Sequence, residues 1–182
     1  MRSSTSLIIA LLICVLCMAG CSGADIRVDS QKKASLDGNR IVVLPFYDPC
    51  YKGQQLIGIG RPFAAVFTNK LRAAGMQASL STDNEFSSVS IPAIQEACRY
   101  AAVNGYTMFI TGAVTEWIDG ATSWSGKVDV AAISVKVYNT KTCEMARSAS
   151  GREQGTWFTL LDQPTTRFYE PLSEAMVDGL MK

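Results

Sequence analysis

Histidine is absent from all 182 residues. That removes the commonest general base, the commonest metal ligand and the side chain whose charge changes near neutral pH. No Ser-His-Asp or Cys-His arrangement can be assembled from this chain. An excess of one charge is missing too: 17 basic residues face 16 acidic ones, for a net charge of +1. Nucleic acid calls for a clustered basic face, and no run of like charge supplies one. There is no internal repeat, no low-complexity segment and no recognisable paired-carboxylate motif. The expectation is therefore no catalytic residue, no metal site and no cofactor. A membrane-spanning run is also missing. The longest apolar stretch, Leu7 to Met18, is a dozen residues, against the ~20 that a spanning helix needs.

That short apolar stretch is informative in its own right. Arg2 is the only charge before Asp25. A basic start, a short apolar run and small residues at its end make a secretory signal. The ending Met18-Ala19-Gly20-Cys21 resembles a bacterial lipobox, with Met where Leu or Val is commoner. The resemblance implies cleavage before Cys21 and a diacylglycerol on its sulfur. Residues 1–20 would then be a lipoprotein signal peptide and Cys21 the lipidation site. Ser22, where retained lipoproteins carry Asp, suits export to the outer membrane, with the protein facing the periplasm. The alternative is an ordinary signal peptide with a chance cysteine. Residues 21–39, small and polar, are expected to be a flexible tether. Residues 40–182 would form a single domain, which is an ordinary domain length.

Cys14 and Cys17 fall in the discarded peptide, so Cys50, Cys98 and Cys143 remain, 48 and 45 residues apart. No close pair survives to hold zinc. In an oxidising compartment one disulfide and one free thiol could form, by any of three pairings. Three separate, buried apolar cysteines are the other outcome.

Within the domain, Arg40-Ile-Val-Val-Leu-Pro-Phe46 is a short β-branched run expected to be a strand buried on both faces and ended by Pro45. Arg61–Ala74 is an amphipathic helix with Phe63, Val66, Phe67, Leu71 and Ala74 on one side and Gly75 as its stop. Met76–Leu80 alternates as a half-buried strand. Ile91–Val103 is a second helix, with small residues Ala97, Cys98, Ala101 and Ala102 on its apolar side. Strands follow over 107–117, 127–138 and from Cys143 to Gly151 or beyond, with a turn at Asn139–Thr142. Thr165–Met181 is a last helix. The order β-α-β-α-β-β-β-α predicts an α/β fold with one mixed sheet: parallel crossovers first, then an antiparallel meander.

Several of these stretches resemble a set of periplasmic α/β domains: the amino-terminal domain of the translocation protein TolB, the curli-secretion lipoprotein CsgG, and the Lpo lipoproteins that activate penicillin-binding proteins. The likeness rests on Arg40–Phe46 with its Pro-Phe ending, on Phe67-Thr-Asn-Lys-Leu71 before Gly75, on Asn104–Gly112, and on the hairpin Val135–Glu144. In that hairpin Cys143 stands where those domains place glycine. Trp117, Trp124-Ser-Gly126, Asp129 and the stretch Trp157–Pro164 resemble a small proteobacterial lipoprotein family built on a domain of unknown function. The resemblance implies a non-enzymatic module that binds protein partners or copies of itself. A periplasmic small-molecule or glycan binder is the alternative.

Trp117, Trp124, Trp157 and Phe158 are the candidate interaction residues, because aromatics dominate binding hot spots. Equally, they could close the end of the core. Asp129, in an apolar strand, is either an ionisable cleft residue or a carboxylate held by a turn amide or by Arg152. Gly58-Ile-Gly60 ahead of a helix suggests an anion site with Arg61, though it lacks the Lys-Ser/Thr of a phosphate loop.

Overall fold

In a computed structural model, residues 25–29, 35–82, 86–119, 128–155 and 165–182 are described. The elements are β1 (Asp25–Asp29), β2 (Arg40–Val43), β3 (Cys50–Tyr51), β4 (Gln54–Gln55), α1 (Gly60–Ala73), β5 (Gln77–Leu80), α2 (Ile94–Val103), β6 (Met108–Ile118), β7 (Val130–Asn139), β8 (Met145–Gln154) and α3 (Tyr169–Met181). A 3-10 turn over Thr165–Phe168 leads into α3. Six strands form one mixed sheet in the order β1-β8-β7-β6-β2-β5, and β3 and β4 make a separate hairpin. β2 runs parallel to β5 and β6, while β6, β7 and β8 form the expected antiparallel meander.

The α/β expectation holds, with two additions. Asp25–Asp29 lies in the stretch expected to be tether, yet it pairs along its whole length with β8, Asp25 opposite Arg152 and Asp29 opposite Ser148. Asp25 and Arg27 on it are exposed, and in sequence such charged residues look like linker. The second addition is the β3–β4 hairpin inside the 47–60 loop. Lys52 and Gly53 both take positive φ, 50° and 81°, the requirement of a tight two-residue hairpin turn.

The sheet separates two cores. On one face Phe63, Phe67 and Leu71 of α1 and Leu172, Met176 and Leu180 of α3 pack on Ile41, Val43, Ile110, Ile133 and Val135. On the other, Ala97, Cys98 and Ala101 of α2 pack on Val42, Leu44, Phe109 and Tyr138. Their small size lets α2 lie close to the sheet. Ala74 and Ala102, expected on apolar faces, are exposed, and Thr68 is buried, its hydroxyl donating to the Ala64 carbonyl at 2.7 Å. α2 starts at Ile94, after Pro92, rather than at Ile91.

Pro45 ends the regular pairing of β2 without ending the association. The Leu44 amide donates to Ile110 and the Tyr47 amide to Gly112, so three residues of one strand face two of the other. Pro45 and Phe46 form this bulge, which turns the Phe46 ring onto Gly112. A Cβ at Gly112 would lie 2.4 Å from that ring. Gly112, expected to close its strand, lies inside β6 and admits the phenylalanine.

Cys98 and Cys143 form a disulfide, with Cα atoms 5.8 Å apart, and Cys50 is a free, exposed thiol. The bond ties α2 to the β7–β8 turn. Cys143 has φ 57°, so it keeps the left-handed conformation that glycine would take with less strain, and its amide donates to the Asn139 carbonyl at 2.8 Å. The Asn139 side chain accepts from the Lys141 amide at 2.8 Å and completes the turn.

The disulfide closes a loop 45 residues long, which chain entropy values at about 4 kcal/mol. Reduction is expected to lower the denaturant midpoint accordingly. Without the bond, Cys98→Ala/Cys143→Gly should be more stable than Cys98→Ala/Cys143→Ala by about 1 kcal/mol, the left-handed cost of a side chain. Urea unfolding of the three proteins checks both statements.

Candidate interaction surface

The loops that follow the parallel strands gather at one end of the sheet, and a single carboxylate organises them. Asp48 is fully buried. Its Oδ1 accepts from the amides of Ile59 at 2.9 Å and Gly60 at 2.6 Å, and its Oδ2 from the Gly58 amide at 3.1 Å and the Ser88 hydroxyl at 2.6 Å. These amides lead into α1, Gly60 being its first residue, and the orphan N–H groups and positive dipole end of a helix favour a negative charge. The anion expected at Gly58-Ile-Gly60 is therefore the protein's own carboxylate, and Arg61 points out to solvent. The chain comes close enough for this only because residue 60 has no side chain: a Cβ there would sit 1.9 Å from the Phe46 carbonyl oxygen.

Asp48 also fixes what surrounds it. Its amide donates to Ser88 at 2.7 Å, the Leu56 amide to Pro49 at 2.8 Å, and the Gln55 amide group to the Val89 carbonyl at 3.1 Å. The β3–β4 hairpin is thus held against the 86–92 loop. Its outer side presents Tyr51 and Ile57, and Val89 and Ile91 extend the apolar rim.

Trp117 is half-buried on the core side of β6 and packs on Tyr169 at 5.5 Å between ring centroids; Tyr169 in turn packs on Phe63 at 4.8 Å. The Trp117 side chain thus closes the core at this end. Burial raises the Tyr169 pKa, and the nearby negative Asp48 adds to the rise. Beside Trp117 lies an open cleft of about 360 Å³, lined by Tyr51, Leu56, Ile59, Ile118 and Asp119. Trp124, Trp157 and Phe158, the other aromatic candidates, lie outside the described residues.

Asp129 is paired, with a partner other than Arg152: its Oδ2 is 3.3 Å from the Arg167 guanidinium, and its carbonyl accepts from the Gly155 amide. Arg152 instead binds Glu116 across the sheet at 2.9 Å. Near Arg167, Glu153 is 7% exposed and its Oε2 has no hydrogen-bond partner. Burial pushes its pKa up, and the positive Arg167 opposes that shift. At the far end of α3, the buried Arg147 side chain donates to the Leu180 carbonyl, a cation at a helix C-terminus.

Asp48, Glu153, Tyr169 and Arg147 were not singled out by sequence. A signal existed for Asp48 alone. A helix entered through Ile59 with no Ser, Thr, Asp or Asn at its cap needs an acceptor from elsewhere in the chain, and the preceding loop holds one Asp. Among the described residues, no group of three His, Cys, Asp or Glu could hold a metal ion, and no helix is long and apolar enough to cross a membrane.

Among solved structures, the chain is similar to the PelC dodecamer from Paraburkholderia phytofirmans. The TM-score is 0.65 at 16% identity, over 87% of this chain and 98% of that one. Weaker likenesses are to lipoprotein GNA1162 from Neisseria meningitidis, at TM-score 0.48 and 14% identity over 76% of this chain and 94% of that one, and to the LpoB C-terminal domain from Salmonella enterica, at 0.46 and 12% over 67% and 87%. At 16% identity the likeness to PelC shows a shared fold. No protein-family model and no curated protein matches the chain.

Two stability tests follow from the buried groups. Asp48→Ala strands several amides and should cost about 3 kcal/mol or more, while Asp48→Asn, which keeps one acceptor oxygen, should cost about half as much. Denaturant melts would measure both. For Glu153 the folded-state pKa lies above the unfolded value, so its contribution favours folding at low pH and is lost as pH rises through the folded pKa. Glu153→Gln is therefore expected to raise Tm at pH 7 to 8, and the difference should vanish below about pH 4, where the carboxyl is protonated in both states. A Tm series against pH for the two proteins reads this directly.

Proposed function

We propose that this chain is a lipid-anchored lipoprotein of the bacterial envelope. Acylated Cys21 holds it at the outer membrane, and its domain faces the periplasm as a non-enzymatic assembly or protein-binding module. The observation that carries this reading is the fold likeness to PelC, which extends over nearly the whole of that protein and the greater part of this one. PelC is a dodecamer, and a second copy of this chain is accordingly the first partner to consider. The sheet supports that choice. Its two edges are unlike, antiparallel β1 at one side and parallel β5 at the other. Among the described residues neither outer edge is paired. Unlike edges on one molecule suit a head-to-tail contact, the kind that closes into rings.

The test is made on the full chain expressed in a Gram-negative host. The parent should fractionate with the outer membrane, and its intact mass should include the acyl chains at Cys21. Cys21→Ser should be released in soluble form. Native mass spectrometry of the detergent-extracted protein should then find more than two copies, or a defined complex after mild crosslinking. A monomer with no protein partner would sink the assembly reading. A metabolite or glycan retained in the Trp117 cleft would favour the small-molecule alternative.

A further inference from the structure

The register of β1 fixes where the amino terminus leaves the domain. Asp25 pairs with Arg152, Arg152 with Ala132, and Ala132 with Glu116. Asp25 thus lies in the same cross-strand row as Glu116, two residues short of the end of β6 at Ile118. β1 runs antiparallel to β8, so the chain enters β1 from this end of the sheet. It is the end that carries the β3–β4 hairpin and the Trp117 cleft. Cys21 is four residues before Asp25, and four residues reach at most about 14 Å. Laterally, β1 is three strands from β6, or about 14 Å at the usual spacing.

A leash this short does not let the domain turn its other end to the bilayer. The surface it holds there has interfacial chemistry. Ile57 is 75% exposed and Tyr51 41% exposed. Lys52 sits 5.3 Å from the Tyr51 ring centroid, and Arg61 is exposed at the start of α1. Apolar and aromatic tips beside cations suit the boundary between acyl chains and anionic headgroups. The hairpin is not free to swing away, because Gln55 and Asp48 tie it to the 86–92 loop. We infer that the β3–β4 hairpin is a second, non-covalent membrane contact, seated in the bilayer interface beside the lipid on Cys21. This rests on the acylation of Cys21 proposed above.

The protein supplies its own reporter. Cys50 is the one exposed free thiol among the described residues and lies in β3. The full chain, purified after lipidation, is labelled at Cys50 with a bimane fluorophore. It is then reconstituted in vesicles of phosphatidylethanolamine and phosphatidylglycerol, with or without bromine on the acyl chains. A fluorophore at the headgroup–acyl boundary, roughly 5–10 Å deep, should lose about half its emission in the brominated vesicles. The comparison protein is Cys50→Ser/Val103→Cys, since Val103 is 81% exposed at the opposite end, beside the turn that enters β6. There, quenching should be negligible. Ile57→Asp should reduce quenching at Cys50 while leaving the protein folded and bound to vesicles. Equal, negligible quenching at both positions in a protein whose mass shows acylated Cys21 overturns the membrane contact and leaves the anchor standing. A bare Cys21 sinks the anchor and this inference together.

Discussion

The buried charge of Asp48 is the constraint on which this end of the molecule depends. An ionised carboxylate removed from water is costly unless its oxygens are satisfied. Here four donors converge on them, three backbone amides at the entry to α1 and the Ser88 hydroxyl. The geometry requires the chain at Gly60 to lie against the Phe46 carbonyl, and the Phe46 ring to lie over Gly112. Two glycines, one phenylalanine and one aspartate therefore form a single packing unit that joins β2, α1 and β6. The hairpin, the 86–92 loop and the Trp117 cleft are all mounted on that unit. Functional residues on loops need such a rigid scaffold, and here most of it is one carboxylate with its amides.

At the other end the chain uses a covalent device instead. α2 is only ten residues long and buries mainly alanines, so its packing on the sheet contributes little apolar area. The Cys98–Cys143 bond compensates by fastening α2 to the β7–β8 turn. Beyond the reach of α2, Thr111, Ala113, Ser134, Lys136 and Ser150 line the outer sheet face. Small or polar, they let this part of the sheet face water, as an antiparallel meander permits.

The legibility of the sequence followed the strength of its periodicity. Phe63, Phe67 and Leu71 at helical spacing, the β-branched run at 41–43 and the alternation through β7 gave the elements, their order and the mixed sheet. Edge strand β1 was illegible because Asp-Ile-Arg-Val-Asp, with three charges in five residues, carries the composition of a linker. The β3–β4 hairpin was hidden by its two-residue strands. At the candidate site, Trp117 was visible as an unusual residue at a strand end. Its contact with Tyr169, fifty-two positions away, depends on how α3 returns to the sheet, which no local pattern encodes. The partner of Asp129 was missed for the same reason: Arg152 faces Asp25 and Glu116 across the sheet, whereas Arg167 arrives from the turn before α3. The cysteine pairing was one of three that spacing left equal.

The pairing of β1 changes what an anchor at Cys21 would mean mechanically. With residues 21–39 wholly flexible, the domain could sample a wide volume below the membrane, at about 5–6 Å times the square root of the linker length. With Asp25–Asp29 bonded to β8, only the few residues between Cys21 and Asp25 would separate such a lipid from the sheet. The orientation of the sheet relative to the bilayer would then be restricted by that short connection before any surface contact is made. Burial of Tyr51 and Ile57 adds only a modest free energy, about 1.5–3 kcal/mol for each side chain fully removed from water. That would be weak as a sole attachment. Next to a permanent anchor it needs only to bias a rotation that the short leash already restricts. The same restriction would align neighbouring copies in one plane with β1 and β5 facing sideways. A head-to-tail contact between those edges then has little rotational freedom left to lose.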